Sequence, residues 1–248
     1  MNLKKQADSK TLYPKKYEKK MRAWLQDRYG KQKMGLIWDQ TMGKYRNHLE
    51  ESPDYGGIKN GHAMSIYGGM LVFAMLASLP DKPQMNELQE FTQDLFMEPF
   101  VKLGKIFDLN RSRDIVLIDK VFRKVAKRDN KDSAKWPCSF HTVYDGFDKS
   151  NMTTRYHFTQ CPVADFAKNH DMLQLLPLMC NCDFFGIEQI HGRLIREGTC
   201  GNSDRCDYLI VGNRNPIAAK YETVSDEKGF LICKKIKTSN SHLDTRNY

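Results

Sequence analysis

The chain changes its hydrophobic period near Asn130, and that change limits the folds open to it. Before Asn130 the apolar residues recur every three or four positions. Lys15 to Tyr29 places Met21, Trp24 and Leu25 on one helical stripe, and Gly30 reads as a stop. Met34 to Leu49 reads as a second helix with Leu36, Ile37 and Met42 on its buried side. A loop rich in Gly, Pro and Asp follows at Ser52 to Gly61. Met64 to Leu79 then reads as a buried helix ending at Pro80. Its Gly68, Gly69 and Ser65, and its short length, argue against a bilayer span. From Pro83 to Ile106, Leu88, Phe91, Leu95 and Phe96 keep helical spacing, and Pro99 is expected to kink or divide the helix. Ser112 to Arg128 offers Ile115, Ile118, Val121, Phe122 and Val125 as one side of another.

After Asn130 the segments become short, aromatic and β-branched. Cys138 to Tyr144 and Thr153 to Thr159 predict a hairpin across the turn-forming DGFDKSN. Val163 to Asn169 and Asp171 to Ile190 read as helix, the latter broken near Pro177. Gly192 to Thr199 and Cys206 to Val211 predict two strands joined by a polar loop, and Gly229 to Ile236 a last strand. Neighbouring strands with hairpin-length connections favour an antiparallel sheet. The expected class is therefore α+β: a helical N-terminal half packed on a C-terminal antiparallel sheet with intervening helices. Residues 1–130 form the mainly helical region and 131–248 the α+β region, joined in one compact unit.

The formal charge of +9 over 248 residues invites a nucleic-acid reading. The lysines, however, crowd the ends: Lys4, Lys5, Lys10, Lys15, Lys16, Lys19 and Lys20 at one, Lys234, Lys235 and Lys237 at the other. No zinc-finger spacing, RNP-like aromatic motif or helix-turn-helix accompanies them. Solvated charge, or attraction of an anionic small molecule, accounts for the balance. The polar start has no apolar h-region, so a cytoplasmic protein with reduced thiols is expected, with no membrane and no nucleic-acid partner. A homo-oligomer is left open.

Five of the seven cysteines fall between positions 161 and 206, beside acids and glycines. Cys161 precedes Pro162 where a strand gives way to a helix, a place that lowers a thiol pKa and improves a nucleophile. Cys180 and Asp183 lie at i, i+3 on a predicted helix and share a face. Asp183 among Met179, Phe184 and Phe185 is costly unless paired or functional. Arg196, Glu197 and Thr199 end one strand, and Cys206 and Asp207 begin the next, where only one of the latter two can face inward. His191 is a candidate acid or base, while His141 and His157 sit on the hairpin strands. Cys180, Cys182, Cys200 and Cys206, with Glu197 as a substitute ligand, form an alternative zinc set, looser in spacing than a C-x2-C knuckle.

Taken in order, Cys161-Pro162, Cys180 to Asp183, Arg196, Thr199 and Cys206-Asp207-Tyr208 resemble the L-2-amino-thiazoline-4-carboxylic acid hydrolase family over roughly residues 136–212. Cys182 and Cys200 are extra to that pattern. The resemblance implies a cytoplasmic hydrolase that needs no cofactor. It would open a five-membered C–N/C–S heterocycle by adding water at the carbon between sulfur and nitrogen. The recurrence of thiols beside acids in the matched segments suggests covalent catalysis, with Cys161 or Cys206 as nucleophile and Asp183 and His191 for proton transfer; the alternative is a metal-dependent ring hydrolase, or hydrolysis with Asp183 activating water and no protein nucleophile. Arg196, Thr199, Asp207 and Cys180 would hold an anionic heterocyclic substrate. A fainter similarity, to 4-vinyl reductase-type ligand-binding domains, implies instead a zinc near Glu197, Cys200 and Cys206 and no catalysis.

Overall fold

The computed structural model describes residues 12–237, so Lys4, Lys5 and Lys10 lie outside the described residues. Four long helices come first: α1 (Lys15–Glu51), α2 (Ala63–Leu76), α3 (Met85–Gly104) and α4 (Ser112–Ser133). A hairpin of β1 (His141–Asp148) and β2 (Thr153–Gln160) follows. Next come α5 (Pro162–Asn169), α6 (Pro177–Cys180) and α7 (Cys182–Gln189), then β3 (Gly192–Ile195) and β4 (Cys206–Gly212). A second hairpin, β5 (Tyr221–Ser225) and β6 (Leu231–Lys235), closes the described chain. The first sheet runs β1-β2-β4-β3 and every pair in it is antiparallel, as is β5-β6. The class is α+β, with helices N-terminal and an antiparallel sheet C-terminal.

Gly30 ends the first helical arm, as expected, and the second arm follows it directly. Its φ of 79° lies inside the span of α1, so two helical arms meet there without an intervening loop. Only glycine takes that conformation without steric cost. α2 is apolar on every side and buried from Ile66 to Leu76, which makes it the central rod of the helical half. α1 and α5 pack against it, and Phe73 of α2 stacks on Phe166 of α5 at 5.8 Å between ring centroids. One hydrophobic core runs from Leu12 to Cys233 and joins the helices to both hairpins. Among the described residues no helix is long and apolar enough to cross a membrane.

Several expected faces are corrected. Leu36 is 62% exposed, and Val121 is exposed as well, while Ile37, Met42, Ile115 and Ile118 are buried. The inward side of α4 carries acids instead: Asp114, Asp119, Asp129 and Asp132 are all buried. Each accepts at least one hydrogen bond from outside the helix. Tyr144 and Thr154 hydroxyls donate to Asp119, the Thr142 hydroxyl to Asp129, the Gly61 N–H to Asp132 and the Asp108 N–H to Asp114. The cost of burying carboxylates is partly offset by these hydrogen bonds, of which those to Asp119 and Asp129 tie α4 to β1 and β2. The strand expected to reach Thr199 stops at Ile195. The predicted helix over 171–190 is broken again at Asn181, between α6 and α7.

On the inner face of the sheet, β2 and β4 pair in register as Thr154 with Ile210, Tyr156 with Tyr208, and Phe158 with Cys206. Alternation on β4 turns Cys206, Tyr208 and Ile210 inward. α7 packs on β3 and α3, and the strand order brings the exit of β3 beside the start of β4. This arrangement gathers the chemistry-bearing side chains.

Candidate active site

Arg196 leaves the end of β3 and its side chain is completely buried. Nη1 donates to Asp183 Oδ2 at 3.0 Å and lies 4.0 Å from Cys206 Sγ. Nη2 donates to the carbonyls of Cys180 (3.1 Å) and Leu231 (3.4 Å). The guanidinium sits 4.8 Å from the Phe184 ring and 5.8 Å from the Tyr208 ring. Burial opposes its charge, but the neighbouring thiols, Tyr208 and Asp183 outweigh burial and raise its pKa. Arg196 is therefore a fixed cation at the junction of α6, α7, β4 and β6. Both terminal nitrogens already hold protein acceptors, so it has no free parallel fork to offer a substrate carboxylate.

Asp183 opens α7. Besides Arg196 it accepts the Tyr208 hydroxyl at 2.5 Å, and the Tyr208 ring is stacked on Tyr156 at 4.6 Å and 10°. Burial pushes its pKa up, partly countered by Arg196 and Tyr208. Yet 42% of its side-chain surface remains accessible. The carboxylate is thus surrounded by protein on most sides and open to solvent on one. Cys161 and Cys180 share this half-buried state.

Four thiols act on one another electrostatically here: Cys161, Cys180, Cys200 and Cys206. Burial is the leading influence on all four and raises every pKa, Cys200 to about 12. The lowered pKa expected for Cys161 at a helix start is thereby corrected. The N–H groups of Ala164 and Val163 do favour its thiolate, but desolvation is larger. For Cys206 the Arg196 charge and the Tyr208 hydroxyl counter part of that push, and for Cys180 the Arg196 charge does. All seven cysteines are free thiols.

The remaining expected site residues lie around this cluster in other ways. Asp207 points to the outer side, where its carboxylate accepts the N–H groups of Glu197 (3.0 Å) and Gly198 (2.9 Å). The Thr199 hydroxyl donates to Asn202 Oδ1 and accepts the Gly201 N–H. Both residues thus build the turn that brings Arg196 and Cys206 together. His191 is exposed at the opposite end of β3 with φ of 58°, and its carbonyl accepts the Asn213 N–H, away from Arg196. His141 is exposed beside Thr159, and His157 pairs with Asp145. Glu197 faces solvent. Cys182 turns away toward the Leu178 carbonyl and Thr92, and burial raises it to about 12. The set Cys180, Cys182, Glu197, Cys200 and Cys206 is thus divided between three directions. Among the described residues no three of its ligand atoms lie within 4.8 Å of one another.

Two residues complete the cluster without having been singled out by sequence. Tyr208 stands inside the quoted Cys-Asp-aromatic triplet, and period-two alternation from Cys206 would have turned it inward. Asn181, between the two cysteines, binds Gly229 O and Gln89 Oε1 through Nδ2 and receives the Leu231 N–H on Oδ1. It fastens the β5–β6 hairpin over Arg196. Two surface recesses, one lined by Asn110, Met152 and Arg214 and the other by Tyr13, Ile58 and Met64, do not touch the cluster.

An α+β core with thiols and one carboxylate converging on a buried arginine is thus in hand, and the family can be stated. The chain belongs to the L-2-amino-thiazoline-4-carboxylic acid hydrolase family, whose sequence profile matches residues 84–210. The match begins at α3, so it reaches well into the helical half, beyond the motif-bearing stretch. It contains Cys161, Cys180, Asp183, Arg196, Cys206 and Tyr208. No curated protein and no solved structure matches the chain significantly.

Proposed function

We propose that this protein opens a small C–N/C–S heterocycle by adding water at an amidine-like ring carbon, with a cysteine as nucleophile. The observation that carries this reading is the shared engagement of Arg196 Nη1 with Asp183 and Cys206, beside the solvent-open side of Asp183. A fixed cation beside a thiol stabilises the thiolate, and a carboxylate of raised pKa exchanges protons near neutrality more readily than a free one.

The Cys206 thiol gives its proton to Asp183, and the thiolate attacks the ring carbon between sulfur and nitrogen. The ring C–S or C–N bond breaks and its leaving atom takes the proton from Asp183. Water then adds to the same carbon, the Cys206 sulfur leaves, and the thiol is regenerated. Arg196 stays charged throughout and positions both groups. Cys161 and Cys180 are half-buried members of the same thiol cluster, and Cys161 is the alternative nucleophile. The positive net charge supports an anionic substrate. The test is turnover of a panel of small thiazolines and related rings, read as a mass gain of one water. Cys206→Ser is expected to fold and lose most of the turnover. Full activity in both Cys206→Ser and Cys161→Ser would end the covalent reading.

A further inference from the structure

A second cluster stands apart from the thiols, where the end of α1 meets the end of α5. His48 and Glu51 lie at i, i+3 in the last turn of α1 and so share a face. His170 follows directly after α5. One ligand atom from each of the three lies within 4.8 Å of the others, and His170 Nδ1 is 3.7 Å from Glu51 Oε2. Among the described residues this is the one such group.

The independent sign of a missing ligand is His48 itself. It is only 8% exposed, yet neither ring nitrogen has a hydrogen-bond partner. A buried imidazole with both nitrogens idle is costly, since buried polar groups are almost always paired. Its ring is held edge-on against Phe166 (5.0 Å) and His170 (5.1 Å), so it has little freedom to turn toward solvent. Burial, then the neighbouring His170, lowers its pKa to about 4, which leaves the neutral, ligating form at neutral pH.

We propose that His48, Glu51 and His170 bind one divalent first-row transition cation, of the zinc class, through two imidazoles and a carboxylate. Ligands around a tetrahedral zinc stand about 3.4 Å apart, so the group must contract by roughly an ångström. The Glu51 side chain, 61% exposed, can rotate to supply that movement. Two imidazoles with one carboxylate suit zinc, cobalt, nickel or ferrous iron better than calcium or magnesium. The cation would clamp the last turn of α1 to α5. Cys161 caps the opposite end of that eight-residue helix, about 12 Å of helical rise away. The clamp is thus separate from the thiol cluster and independent of the reaction proposed for it.

The experiment is titration of the chelator-treated, fully reduced protein with Co2+ and then Zn2+, followed by absorption spectroscopy and calorimetry. One equivalent should bind, with a ligand-field band and no thiolate-to-cobalt charge-transfer band. Glu51→Gln and His170→Gln should each weaken binding at least about tenfold. Glu51 is exposed, so Glu51→Gln should keep the wild-type circular dichroism and guards against a folding artefact. Zn2+ should raise the melting temperature of the wild type and not of Glu51→Gln. A charge-transfer band, wild-type affinity in either variant, or no binding by the wild type would each overturn the proposal.

Discussion

Tyr208→Phe removes one hydroxyl from the candidate site and little else. The ring stays stacked on Tyr156, and the sheet register does not depend on the oxygen. What is lost is the 2.5 Å hydrogen bond to Asp183 Oδ2. Bonds to a charged group contribute about 1.5–3 kcal/mol. Asp183 has one open side, so solvent screening places the effect at the lower end, about 1.5 kcal/mol. The Asp183 pKa should therefore rise further in the variant. The sign is fixed, because the hydroxyl favours the ionised carboxylate and its loss favours the protonated one. Carbon-detected NMR titration of labelled aspartate carboxyls reads this shift without a substrate. The acid limb of any turnover profile should move up in pH by the same amount if Asp183 accepts the thiol proton. The melting temperature should fall by about 3–6 °C for a chain of this length. An unchanged Asp183 titration in Tyr208→Phe would refute the coupling between the tyrosine, the acid and the arginine.

Three more outcomes follow from particular contacts. Arg196→Met should destabilise the fold by about 3–5 kcal/mol in chemical denaturation, because it strands Asp183 and two carbonyls that the guanidinium now satisfies. A loss below about 1 kcal/mol would contradict the view of Arg196 as the hub. Gly104→Ala should cost about 1–3 kcal/mol, since a Cβ there would lie 1.9 Å from the Gln189 carbonyl oxygen, where α3 meets the end of α7. Thermal melting checks it, and a wild-type midpoint would show that the two helices can part freely. Asp148, which caps the first hairpin turn through Ser150 and Asn151, should titrate near 2, below its unfolded value. Its contribution to stability is complete above about pH 4 and is lost as pH falls through 2. An NMR midpoint at the ordinary aspartate value would contradict it.

Local periodicity carried most of the architecture. The buried α2, the aromatic hairpin and the antiparallel order were legible because each follows from spacing and turn residues. The errors arose where tertiary contacts override a stripe. Leu36 and Val121 sit at helical spacing yet face solvent, while α4 turns four aspartates inward to meet hydroxyls and N–H groups distant in sequence. The Tyr221–Ser225 strand was missed because its alternation is short and mostly polar, and it forms only by pairing with Leu231–Lys235. At the site, the ordered cysteines and acids pointed to the correct segments. Which of them converge was not legible. Strand and turn geometry sends Cys206 inward and Asp207 outward, and the break at Asn181 separates Cys182 from Cys180. The effect of burial on Cys161 was likewise hidden, because the helix start is a local feature and desolvation a global one. His48 and His170 gave no signal, being 122 residues apart with no motif linking them.

The most direct test of the account is single-turnover mass spectrometry of the intact protein with a ring substrate from the hydrolysed panel. The account predicts a substrate-mass adduct on Cys206 that forms in the wild type and decays as a product heavier than the substrate by one water appears. Cys206→Ser should give neither adduct nor product. Equal product formation by wild type and Cys206→Ser, with no adduct on any cysteine, would contradict it.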